Sequence, residues 1–261
     1  MSTDGALTVA ATSRDRAALA TYAALVALAA AAWVGVLRAP MSAGDMAGME
    51  MTMAPSLADA AHYVLAWAVM MAAMMLPSAA PMMALFAATQ RGRSAAVRLT
   101  AVSAFVATYV VLWAATGVPI YGASLGLMAF GPRTLAYVVA GMLVAAGLFQ
   151  LSPLKQVCLR HCRSPVGFLL GRWRAGWRGA LALGWAHAGY CLGCCWALMV
   201  VLVVAGAMGL PWVLSIACVV AAEKLLPGGP WIARAIGVAL VALGVAVATR
   251  PDLAMTLRAG G

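Results

Sequence analysis

Long apolar runs divided by short polar gaps set the character of this chain. They fall at 17–37, 62–86, 95–116, 135–151, 180–208, 212–226 and 231–249. A helix needs roughly 20 apolar residues to cross the hydrocarbon layer, so the pattern predicts an all-α fold. It is a polytopic helical membrane bundle of about seven transmembrane helices, with six as the smaller count. Pro227-Gly228-Gly229-Pro230 marks a turn between the last two runs, and 117–132 reads as an irregular or interfacial loop. The run 17–37 follows Arg14 and Arg16 but exceeds the roughly 7 to 15 residues of a signal-peptide core, so it reads as the first span. No run repeats another and no low-complexity linker interrupts them, which makes 1–261 a single membrane bundle domain.

Composition agrees with this pattern. Of 261 residues 65% are hydrophobic and 9% charged, with mean hydropathy +0.97; soluble domains carry about 25% charged residues. A soluble globule, a disordered chain and a secreted disulfide scaffold are excluded. The net charge of +10 raises the question of nucleic acid. The basic residues lie in the gaps between apolar runs, however, and read as topology signals. With the N-terminus inside, thirteen of the 17 Lys and Arg fall on the inner side and four on the outer. This orientation makes 38–61 an outer loop.

That loop is where composition first suggests chemistry. Met41, Met46, Met49, Met51 and Met53 stand within thirteen residues, with Asp45 and Glu50 among them. Thioethers are soft ligands that survive an oxidising compartment and select Cu(I), so these residues, with His62 at the head of the second span, read as a capture surface. Within that span Met70/Met74 and Met71/Met75 are i,i+4 pairs, and Pro77 and Pro81 each remove an intrahelical hydrogen bond.

The fifth span carries the sharpest signal. His187, Cys191, Cys194 and Cys195 fall at i, i+4, i+7 and i+8, so an imidazole and three thiols share one stripe of a helix. Gly184, Gly189 and Gly193 leave room for a neighbouring helix to complete a low-coordinate soft site. Depth arithmetic at 1.5 Å per residue places Met74 and Met75 level with Cys191 to Cys195. In the inner loop, Cys158 and Cys162 with His161 form a second i,i+4 thiol pair, where Lys155, Arg160 and Arg163 favour thiolate. Glu223 beside Lys224 reads as a snorkelling ion pair or a supporting group, Met199 and Tyr190 read as supporting groups, and Cys218 completes the inventory.

The strings Met71-Ala-Ala-Met-Met-Leu-Pro-Ser-Ala-Ala-Pro81, Leu151-Ser-Pro-Leu-Lys-Gln-Val-Cys158-Leu-Arg-His-Cys162-Arg-Ser-Pro165, His187-Ala-Gly-Tyr-Cys191-Leu-Gly-Cys194-Cys195 and Glu223-Lys224-Leu carry a resemblance. Over residues 67–227 the chain resembles the bacterial family described as predicted metal-binding integral membrane proteins. The resemblance implies a copper-chaperone-like protein of the bacterial inner membrane, with some relatives associated with tyrosinase-type copper enzymes. The expected cargo is Cu(I) or another soft metal, held by His187, Cys191, Cys194, Cys195, Met71, Met74, Met75, Cys158 and Cys162 and handed to an acceptor cuproprotein. No nucleotide-binding loop is present in the sequence, which excludes a self-contained ATP-driven pump. The rival expectation is a membrane thiol-disulfide oxidoreductase, in which Cys191 and Cys194 form a quinone-linked redox pair with Cys195 or Cys158 as resolving thiol. A haem protein on His62 or His187 is weaker, since histidines for paired axial ligation at one depth are too few.

Overall fold

The computed structural model describes residues 3–38, 56–205 and 209–259. Among them every regular element is helical, as the apolar runs predict. Helix α1 is Thr3–Arg38, α2 Leu57–Thr89, α3 Ala95–Ala115, α4 Gly117–Met128, α5 Pro132–Leu151 and α6 Pro153–Arg163. Then follow α7 Pro165–Arg172, α8 Gly176–Val204, α9 Leu210–Leu225, α10 Gly229–Thr249 and α11 Asp252–Ala259.

Local chemistry fixes the helix starts. Ser56 and Asp59 form a reciprocal capping box on α2: the Ser56 hydroxyl accepts from the Asp59 amide at 3.2 Å and Asp59 accepts from the Ser56 amide at 3.0 Å. Prolines open α5, α6, α7, α9 and α10 at their first turns, where the missing N–H costs nothing. Pro77 and Pro81 sit inside α2, which continues through both as one helix.

Six helices are long and apolar enough to cross a membrane; α9, at 16 residues, falls short of that length. The six differ in burial, and the difference locates the interior. In α2 and α8 two thirds of the apolar window is buried (67% each), against 11% in α1 and 28% in α10. Leu19, Leu65, Leu99, Val111, Leu148, Trp185 and Val238 face outward instead, giving a surface that is apolar on its outside as well as within. The two innermost helices are the ones that carry the methionine and cysteine clusters.

Neighbours wrap this pair. Helix α1 lies along α2, α3 bridges α2 to α8, and α5 pairs with α10. The last pair is antiparallel and very close: a Cβ on Gly147 would stand 2.6 Å from the Gly237 carbonyl. One expectation needs correction. Residues 117–128 are helical, because Gly117 packs on the Trp67 indole (a Cβ there would stand 2.9 Å from Cδ1) and Trp67 donates to the Thr116 hydroxyl at 3.0 Å. The segment of Cys158 and Cys162 is helical, as their i,i+4 spacing reads, and α6 and α7 fold against the bundle: α6 packs on α8 and α9, and α7 on α2 and α6.

Candidate metal centre

The centre forms where α2, α3, α6, α8 and α9 meet around Cys191. The Cys191 Sγ lies 3.0 Å from the Lys224 Nζ of α9 and 3.0 Å from the Tyr109 hydroxyl of α3. The same ammonium lies 3.3 Å from the Ser78 Oγ and 4.0 Å from the Met75 Sδ of α2. Thus a lysine bridges the thioether helix and the thiol helix. Depth matching from the sequence placed these two sulfurs at one level. What it missed were Lys224, Tyr109 and Ser78, which complete the arrangement.

The remaining thiols of α8 point along their own helix. Cys194 and Cys195 both donate to the Cys191 carbonyl, at 3.1 and 2.9 Å. Cys194 also faces α6, its Sγ 3.8 Å from that of Cys162. Cys158 packs over Gly193, where a Cβ would stand 2.9 Å from its Sγ. Gly184 performs a similar service for α3, since a Cβ there would meet the Phe105 carbonyl at 2.7 Å. Gly189 faces open space, so only two of the three expected glycine contacts exist.

His187 stands one turn before Cys191 and is 3% exposed. Phe105 and Tyr109 stack on its ring at 5.9 and 5.6 Å, and Phe168 of α7 meets it edge-on at 5.7 Å. Neither ring nitrogen has a hydrogen-bond partner. An unsatisfied buried imidazole costs about 1–3 kcal/mol, and coordination to a soft ion would recover it.

A second polar group anchors α6. Lys155, fully buried, donates to Glu223 at 2.6 Å and to the Gln150 side-chain oxygen, and Gln150 donates to the other Glu223 oxygen at 3.0 Å. Arg163 caps the end of α9, donating to the carbonyls of Glu223 and Leu226 at 2.6 Å and of Pro227 at 3.1 Å. The expected Glu223–Lys224 ion pair is therefore wrong: adjacent helical residues point about 100° apart and reach different neighbours. The expected support of thiolate by Lys155 and Arg163 fails as well, because both cations are engaged elsewhere, and burial pushes the Cys158 thiol up. Two of the thirteen basic residues read as topology signals, Lys155 and Lys224, are interior groups instead.

The other candidates are dispersed. Met71, Met74 and Met199 are buried in the same core. Tyr190 lies at the rim, accepting from Arg172 at 2.7 Å and stacked on His161 with centroids 4.1 Å apart. His62 is exposed at the start of α2 and Cys218 is exposed on α9. Met41, Met46, Met49, Met51 and Met53 lie outside the described residues. Among the described residues, no three histidine, cysteine or carboxylate side chains stand close enough in this arrangement to close around one ion. The reason is local: two thiols are turned back to the Cys191 carbonyl and an ammonium sits against the third.

An apolar helical bundle with thiols, a thioether and an unpartnered imidazole gathered in its interior defines a class of protein suited to handling a soft metal. The family is more specific than that class. Residues 64–247, more than two thirds of the chain, match the family model described as PpoB2, copper chaperone, and the chain belongs to that family. Neither the curated proteins nor the solved structures contain a match to it. Membership accords with the resemblance carried by the cysteine and methionine motifs, and it ties the protein's function to copper.

Proposed function

We propose that the protein is an integral membrane copper chaperone that binds Cu(I) at the Cys191 centre and delivers it to an acceptor cuproprotein. The observation that carries this reading is the convergence of soft donors from separate helices on one buried point: Cys191 from α8 and Met75 from α2 reach the same cation. His187, one turn away, has either of its two unpartnered ring nitrogens to offer, one at a time. Rotation of Cys194 and Cys195 about χ1 releases the Cys191 carbonyl and brings two further thiols toward the ion. Thiolate, thioether and imidazole together suit Cu(I) better than a hard cation.

Cys162, paired with Cys194, and Cys158 beside it form a step between the centre and α6. In this reading Met41, Met46, Met49, Met51, Met53 and His62 collect copper outside, Met71 and Met74 line the way inward, and Glu223, Met199 and Tyr190 support the ligands. The setting is a bacterial inner membrane with the N-terminus inside and lipid on the apolar outer faces. A tyrosinase-type enzyme is the acceptor that the resemblance implies.

The test is elemental analysis of the purified, reduced protein beside a Cys191→Ser, Cys194→Ser, Cys195→Ser variant. The expected result is bound copper in the wild type and its loss in the variant. Full stoichiometry in the variant would overturn the reading.

A further inference from the structure

Lys224 is buried, and among the described residues it has no carboxylate within ion-pair distance; Glu223, its neighbour in sequence, is held by Lys155. A buried ammonium needs compensation from nearby acceptors. Here they are the Cys191 Sγ at 3.0 Å, the Ser78 Oγ at 3.3 Å and the Met75 Sδ at 4.0 Å. Ser78 is oriented for this role, since its own O–H donates to the Met75 carbonyl at 3.0 Å, which leaves its lone pairs to face Nζ. Met75 and Ser78 stand three residues apart on one face of α2. A soft sulfur pair and an oxygen thus surround a single positive charge, as they would surround a monovalent ion.

We propose that Lys224 is a displaceable cation built into this centre: its ammonium takes the metal's place on Cys191 and Met75, yields it when copper enters, and returns to drive copper out. The proposal rests on the copper reading above and assigns the residue that makes binding reversible. Two positive charges within a few ångströms repel strongly at low dielectric, so ion and ammonium exclude one another from the Cys191 sulfur. The lysine stem is flexible and carries its charge at one point, so Nζ can withdraw by side-chain rotation alone. With Cys191 a thiolate in both states, the exchange balances as Nζ swings out of the buried site when the cuprous ion enters: one unit charge replaces another at the sulfur, and no redox step is involved. Return of the ammonium offsets the loss of copper–sulfur bonding, which permits release without nucleotide hydrolysis.

The experiment loads the full-length protein with Cu(I) under anaerobic, reducing conditions and follows transfer to a chromogenic Cu(I) chelator. Wild type is compared with Lys224→Leu and Lys224→Arg. The expected result is that Lys224→Leu still binds copper but releases it on the order of tenfold or more slowly, the effect of removing a charge-assisted competitor for Cys191. Lys224→Arg keeps the competing charge and transfers within about threefold of wild type. If Lys224→Leu fails to fold, Lys224→Gln carries the same expectation. Release at the wild-type rate in the uncharged variant, or loss of copper from a variant that unfolds like wild type, overturns the proposal. Wild-type protein that takes up no Cu(I) removes the copper reading itself. Wild-type protein that binds Cu(I), with unchanged release in the variants, removes the displaceable lysine and leaves the chaperone reading in place.

Discussion

Replacing Glu223 by Leu leaves the Lys155 ammonium buried with only the Gln150 oxygen for company. The pair is 0% and 2% exposed at its side chains, so solvent does not screen the loss. Breaking a buried ion pair from one side costs about 3–5 kcal/mol. Lys155→Met alone strands the Glu223 carboxylate and costs a similar amount. The double variant removes both charges and leaves the Gln150 amide unpaired, which costs about 1–3 kcal/mol. The two single losses sum to about 6–10 kcal/mol, so the coupling energy is at least about 3 kcal/mol, more than a hundredfold in the folding equilibrium. Tryptophan fluorescence during denaturant unfolding in detergent supplies the four stabilities of the cycle. Alkylation of Cys162 supplies a local readout, because α6 detaches first when its anchor is lost. Additivity within about 0.5 kcal/mol would show that Lys155 and Glu223 are not a coupled pair and refute the reasoning.

Three further outcomes are expected. His187→Phe keeps the ring contacts with Phe105, Tyr109 and Phe168 and removes two unpartnered nitrogens, so stability stays level or rises by about 1 kcal/mol while bound copper falls. Thermal unfolding alongside elemental analysis checks this, and a loss above about 2 kcal/mol would mean that the imidazole has a partner after all. Mild oxidation joins Cys162 to Cys194 ahead of any other pair, since those sulfurs already stand 3.8 Å apart on different helices; peptide mapping that finds Cys191 joined to Cys194 instead would favour the oxidoreductase reading. Gly184→Ala drives a methyl into the Phe105 carbonyl and loosens α3 from α8 at a cost of about 1–3 kcal/mol. Its melting temperature should fall, with the Tyr109 contact to Cys191 weakened, and an unchanged melting temperature would contradict the close approach.

Most of the architecture was legible because apolar runs of spanning length leave the backbone little choice but to satisfy itself as helix. The exceptions share a cause. Residues 117–128 carry Gly117, Pro119, Gly122 and Gly126, which read as loop until Trp67 supplies a surface to pack on. The candidate site was legible as chemistry rather than as geometry. Spacing alone put His187, Cys191, Cys194 and Cys195 on one stripe, but the turning of Cys194 and Cys195 toward a backbone carbonyl is a rotamer choice that no spacing reveals. Lys155 and Lys224 were misread because a count of positive charge treats every lysine as a loop residue. The signal that would have found Lys224 was present: a charged residue at the C-terminal end of an otherwise apolar run, beside Glu223, is a functional group by default. Ser78 offered no comparable signal, because a serine hydroxyl in an apolar helix usually bonds its own backbone, and Tyr109 reads as an ordinary interior aromatic.

The aromatic enclosure of His187 bears on the valence of whatever ion lodges there. Phe105, Tyr109 and Phe168 close three sides of the imidazole and leave little space for solvent molecules to enlarge the coordination shell. Cupric ion prefers tetragonal nitrogen and oxygen surroundings, whereas here one imidazole stands near thiols and a thioether. On the copper reading proposed above, so sulfur-rich a set with one nitrogen favours a cuprous over a cupric cargo.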